Sequence, residues 1–335
     1  FDDAGAGAVN TSLAHGAGAP TFTRATTAWT KLSSGLWAPV ASGQARSAYI
    51  GMNTAVGAYG GYLAEGARTQ LVTPTASIRD MTNVSWVKVT TTTAKTSTGI
   101  DGVASSCTRL TATGANSTIL QTLVAAASSR TYSAWVKRIT GTGTILLKQG
   151  TATLDITALI NSATFTQVQL NDNELNVAYG FQINTSGDAI DVDFNQFEAG
   201  AFATSPMASA GAARNVDVLS YASSGNVRGT TGSVYAEVAS ELVGAPSTNG
   251  ATVVELDATG NRPALYTTSP SLLSIYDGTT EAKDSTFNGS ASIQKVASSW
   301  GSGMKTFISG SAGSGASFDG NMDIGTNIRV GERGS

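Results

Sequence analysis

The residues best placed for chemistry are Asp191, Asp193 and Asn195, at alternate positions in the run Asp188–Ala199 (DAIDVDFNQFEA). On an extended strand they share one face, and Ile190, Val192 and Phe194 share the other. Carboxylates at i and i+2 stand roughly 6–7 Å apart. That arrangement suits a structural Ca2+, which takes carboxylate and amide oxygens, or a pair of acids acting on a glycosidic bond. The plainer reading is the hydrated side of a half-buried strand. No apolar pocket can be argued around either acid, so hydrolysis ranks last and no catalytic residue is assigned.

Sugar recognition needs aromatic faces beside hydrogen-bonding groups. Trp86, Trp135 and Trp300 are the candidates. Trp135 shares a strand face with Ser133 and Lys137, and its competing role is a core anchor. Trp300 lies in Ser298–Gly303 (SSWGSG), a loop-like setting where a large aromatic suggests a ligand or subunit contact. His15 is the single histidine, in a Gly/Ala-rich segment that offers no rigid site for a Ser–His–Asp triad. With one Cys and one His the chain lacks the ligand set of a zinc site. Cys107, between Ser106 and Thr108, reads as a small buried hydrophobe. No phosphate-binding glycine loop occurs.

These residues must be positioned by strands. The chain has 335 residues, enough for two domains. Charged residues make up 13 %, and the net charge is −3, so no basic stripe exists for nucleic acid. Polar surface comes from Ser, Thr, Asn and Gln, and the 38 glycines point to many turns. No apolar run reaches the ~18–20 residues of a membrane helix. FDDAGAGAVN lacks Met and any signal-peptide pattern, so it reads as an internal point of a longer polypeptide.

The expected fold is all-β: an irregular N-terminal arm and two antiparallel β-sandwich (jelly-roll) domains. Residues 1–70 show no apolar stripe, only scattered aromatics such as Phe22, Trp29, Trp37 and Tyr62 that need a neighbouring surface to lie on. Residues 71–205 form the first sandwich, with strands at Val84–Thr92, Thr131–Arg138, Leu154–Ile160 and Val177–Ile183, and a possible helical turn near Leu120–Ala127. Residues 206–221 read as a connector. Residues 222–335 form the second sandwich. It is expected to be incomplete at its C-terminus, with Ile324–Val330 leaving an open edge. Asp277–Gly278 marks a hairpin.

Four stretches carry a family resemblance: Phe22–Thr27 (FTRATT), Tyr62–Leu71 (YLAEGARTQL), the Thr131–Lys137 strand, and Phe194–Ser205 (FNQFEAGAFATS) with Arg214–Leu219 (RNVDVL). In order and spacing they resemble modular bacteriophage virion proteins: tail fibres, appendages and decoration proteins. There a lead-in, a junction and a strap bracket a jelly roll like a carbohydrate-binding module, and a laminin-G or concanavalin-like lectin sandwich follows. The second sandwich resembles that lectin domain at Ser233–Val238 and Met322–Gly331. Ser205–Pro206–Met207–Ala208 departs from the aromatic–Ile–Pro run usual in the strap. The resemblance implies a non-enzymatic virion protein, assembled in the bacterial cytoplasm with other virion subunits as a homo-oligomer, a trimer favoured. It also implies attachment to host cell-surface polysaccharide, with no nucleic acid and no membrane insertion. Its rivals are a structural decoration protein that binds no glycan and a tailspike depolymerase.

Overall fold

The computed structural model describes residues 19–32, 34–49, 60–72, 78–207, 211, 213–238, 252–256, 264–269, 272–277, 279–284, 294–322 and 324–330. His15 and Gly278 lie outside them. Every regular element among the described residues is a β-strand, and no helix there is long and apolar enough to cross a membrane. All strand pairing is antiparallel, so the all-β expectation holds.

By its contacts the chain forms two units. One joins residues 26–41 to 68–214, and the other joins 1–25, 42–67 and 215–335.

The first unit is a sandwich of two five-stranded sheets. One runs Ala152–Asp155, Ile145–Gln149, Ala178–Ile183, Ser117–Thr122, Val87–Val89. The other runs Thr166–Glu174, Ser128–Thr140, Ala189–Ala199, Cys107–Ala112, Thr91–Ser97. Alternation along the strands supplies the interior, where Tyr132, Tyr179, Phe181 and Phe197 stack and tilt against one another.

Three sequence expectations need correction in this unit. The run Val84–Thr92 is not one strand. Val87–Val89 pairs in the first sheet and Thr91–Ser97 in the second, and Thr90, at φ +49°, turns the chain between them. The expected strand Leu154–Ile160 ends at Asp155. There Asp155 Oδ1 accepts from Thr157 N, and a turn closes Ile160 N onto the Ile156 carbonyl, burying both isoleucines without a strand. The helical turn near Leu120–Ala127 is absent, because Ser117–Thr122 is drawn into the ladder by Ala178–Ile183.

Part of the lead-in belongs to this unit. Ala28–Lys31 and Trp37–Val40 form a hairpin whose tight connection uses Gly35 at φ +84°. Its tryptophans pack on the outer face of the second sheet: Trp37 meets Trp135 edge-on at 5.3 Å, and Trp29 meets Phe194 at 4.8 Å. Such a pair removes large apolar areas from water, at ~25 cal/mol per Å2.

The second unit has a sheet of seven described strands, in the order Thr21–Thr23, Val218–Ala222, Asn327–Val330, Thr252–Glu255, Ala264–Ser269, Leu272–Tyr276, Glu281–Asp284. Asn327–Val330 pairs on both sides, so it is an interior strand and not the open edge expected. A further sheet runs Gly232–Val238, Gln294–Trp300, Lys305–Ile308, Ser311–Ala312. Their shared core holds Val254, Leu273, Ile275, Val296, Trp300 and Met304.

Candidate functional site

The expected polar ladder Asp191–Asp193–Asn195 is broken by a bulge. Ser133 faces Gln196 and Trp135 faces Asp193, so Ala134 alone opposes both Phe194 and Asn195. Phe194 takes φ +42°, and from there the alternation reverses. Phe194 therefore packs on Trp29 outside the sheet. Asn195 turns into the core, where its Oδ1 accepts from Tyr132 Oη at 2.8 Å and its Nδ2 donates to the Ile78 carbonyl. Phe194 and Asn195 thus sit on the faces opposite to those the alternation predicts.

The hydrated side expected for this strand is also covered. Asp191, Asp193 and Asn195 are all buried. Asp191 accepts from Arg109 Nε at 2.8 Å and from Ser97 Oγ at 2.8 Å. Asp193 accepts Arg79 Nε and Nη2, and the Ile100 and Phe194 amides. A Ca2+ would need oxygens converging on one point, and here the oxygens diverge onto guanidinium groups and two faces. The residues do not fit the ion. Among the described residues no group of three or more His, Cys, Asp or Glu could hold a metal.

Arg79 is the hub of this region. Besides Asp193 it reaches Asp101 through Nη1 at 2.6 Å and Ser106 Oγ through Nη2 at 2.9 Å, and its plane lies 4.4 Å from the Phe194 ring centroid. Burial alone would lower its pKa, but the hydrogen bonds it donates to Asp101 and Asp193 outweigh that and raise it. At Asp101, burial pulls upward, yet the bonds from Arg79, the Val103 amide and Ser106 hold the carboxyl below its ordinary value. Cys107 is buried beside Asp193 and Asp191, and burial first, then those two charges, push its thiol up to about 12. A guanidinium-bound acid and a protonated thiol make a poor acid–base pair and a poor nucleophile.

The motif residues behind the family resemblance also serve as fasteners. In the second unit Asp217 takes Arg24 Nη1 at 2.8 Å, the Arg46 guanidinium, and the Glu65 amide at 3.1 Å. Arg46 also bridges to Glu65 at 2.8 Å. In the first unit Gln70 Oε1 accepts from the Phe197 and Val72 amides, Glu198 holds Thr204 through Oγ1 and N, and Arg214 donates to Ser205. Within each unit, residues of these motifs are fastened by buried polar contacts.

The three tryptophans proposed for sugar contact are all buried. Trp135 is 4 % exposed, under Trp37. Trp86 is 1 % exposed and packs edge-on against Tyr179. Trp300 is 3 % exposed, and it is the last residue of a strand, not part of a loop. Its Nε1 donates to the Arg228 carbonyl at 3.0 Å, and it lies over Gly232, where a Cβ would come within 2.4 Å of the indole.

An exposed row of side chains lies elsewhere. On the Gly232–Val238 strand Val234, Ala236 and Val238 pack on the core, so Ser233, Tyr235 and Glu237 point outward and are exposed. The ladder aligns Tyr235 with Ala297 and Phe307, and Ser233 with Ser299 and Lys305. Tyr235 is 61 % exposed, and its Oη lies 2.8 Å from Glu237 Oε1. The alternation in GSVYAEV carries that signal.

No protein-family model and no curated protein matches the chain. Among solved structures, one similar chain is the N-terminal CBM22-1–CBM22-2 tandem domain of Paenibacillus barcinonensis Xyn10C, with a TM-score of 0.31 and 10 % identity, covering 81 % of this chain and 92 % of that one. At that level the likeness carries no argument about what this chain does.

Proposed function

We propose that the chain is a non-enzymatic bacteriophage structural protein, part of a tail fibre or particle appendage, that attaches to polysaccharide on the host cell surface. The observation that carries this reading is where the charges go. Asp101, Asp191, Asp193 and Asp217 are each held by an arginine, so the acids that might cut a glycosidic bond serve instead to fasten strands and lead-in. On the outer face of its sheet Tyr235 is exposed, where a ligand could reach its ring. Assembly as a homo-oligomer, a trimer by the family resemblance, would place several such faces on one particle, and weak sites then add to high avidity.

The test is a glycan array of bacterial surface polysaccharides probed with the intact chain. Binding to a defined subset supports the reading, and a blank array sinks it. The purely structural alternative is favoured by one observation: Val84, Val87 and Val89 are exposed at the edge strand Val87–Val89, an apolar margin suited to another subunit. It predicts the blank array and particles in which that margin is covered.

A further inference from the structure

We infer that the outer face of the sheet built on Gly232–Val238 binds an acidic polysaccharide, with Tyr235 and Phe307 as ring platforms and Lys305 as the contact for a sugar carboxylate. The inference rests on the glycan-binding reading above and gives it a place and a ligand class.

The ladder sets the geometry. Tyr235, Ala297 and Phe307 are directly opposed across three neighbouring strands, so their side chains rise from the same face. The two aromatics stand two strand spacings apart, roughly 9.6 Å. Ala297 between them is a single methyl, which leaves a trough with an aromatic wall on each side. Pyranose rings present flat C–H faces to such walls while their hydroxyls point to the edges. At the edges the next row supplies Ser299 and Lys305, and Tyr235 is itself held by Glu237.

Charge selects among sugars. Glu237 lies opposite Lys295 in the ladder, so those two offset each other, while Lys305 lies opposite the neutral Ser299. Among the described residues, Glu237, Lys295 and Lys305 leave the face with one net positive charge, on a chain whose net charge is −3. A carboxylated sugar complements it, and a neutral one does not use the lysine.

The test titrates the intact chain with polygalacturonate oligomers and with the same oligomers methyl-esterified, at low and high salt. The acid should bind more tightly than the ester, and salt should weaken the acid alone. Tyr235→Ala should lower affinity about tenfold. Lys305→Gln should bring acid and ester to equal affinity. Both residues are exposed, so unchanged unfolding midpoints are expected and separate binding loss from misfolding. If the wild-type chain binds glycan and Tyr235→Ala leaves affinity unchanged, the face is wrong while the wider reading stands. Tighter binding of the ester overturns the choice of acidic sugar. If neither form binds and the array is blank, both readings fall.

Discussion

Arg79 grips Asp193 with two parallel hydrogen bonds, Nε to Oδ1 at 2.7 Å and Nη2 to Oδ2 at 2.9 Å, and this pair joins the segment before the first sandwich strand to its central strand. The Asp193 side chain is fully buried. Replacing Arg79 by Met would strand that carboxylate, at a cost of about 3–5 kcal/mol. The double variant Arg79→Met, Asp193→Asn should recover much of the loss in urea unfolding. A single variant at least as stable as the double would contradict the pairing.

The contact of Trp37 with Trp135 argues that the lead-in hairpin is an integral part of the first unit, covering the outer face of its second sheet. Trp37→Ala and Trp135→Ala should each cost about 3–5 kcal/mol. Because both remove the same edge-to-face contact, the double variant should lose less than the sum. Additive losses would mean the two rings stabilise the fold independently.

Much of this architecture was legible in the sequence, and the failures have physical causes. Strands and their apolar alternation could be read in Thr131–Arg138 and Val177–Ile183, because the period of two is local. The bulge at Phe194 could not, since it is set by Ala134 on another strand. The cover over Asp191 and Asp193 was hidden for a similar reason. The hairpin that carries Trp29 and Trp37 is short and lacks any stripe of its own, so nothing in it announces which face it will bury. Arg24 and Asp217 stood out as parts of motifs, but their ion pair spans 193 positions. Tyr235 was overlooked because exposed aromatics at alternate strand positions look the same in sequence as buried ones.

Asp101 fixes the sign of one pH effect. Its carboxyl is held below the ordinary value by Arg79, Val103 and Ser106 against the pull of burial. Its contribution to stability is therefore present above the unfolded value of ~3.9 and is lost as pH falls through the lower folded value. Asp101→Asn should flatten the acid limb of the stability–pH curve below about pH 4. An acid limb of unchanged slope would place the effect on other groups.

Cys107 should be inert in the folded chain. With its thiol pushed up to about 12 by burial and by Asp193 and Asp191, almost no thiolate exists at neutral or mildly alkaline pH. Iodoacetamide should leave it unmodified in buffer and alkylate it in denaturant, as read by intact mass. Rapid labelling under native conditions would contradict the burial of the Cys107–Ala112 strand.

On the reading proposed above, the chain holds polysaccharide without cutting it. Size-exclusion chromatography with light scattering, on the intact chain mixed with bacterial surface polysaccharides, tests both halves at once. The protein should co-elute with at least one polymer whose length stays constant over time. Progressive shortening of the polymer, or protein that never elutes with any of them, would contradict it.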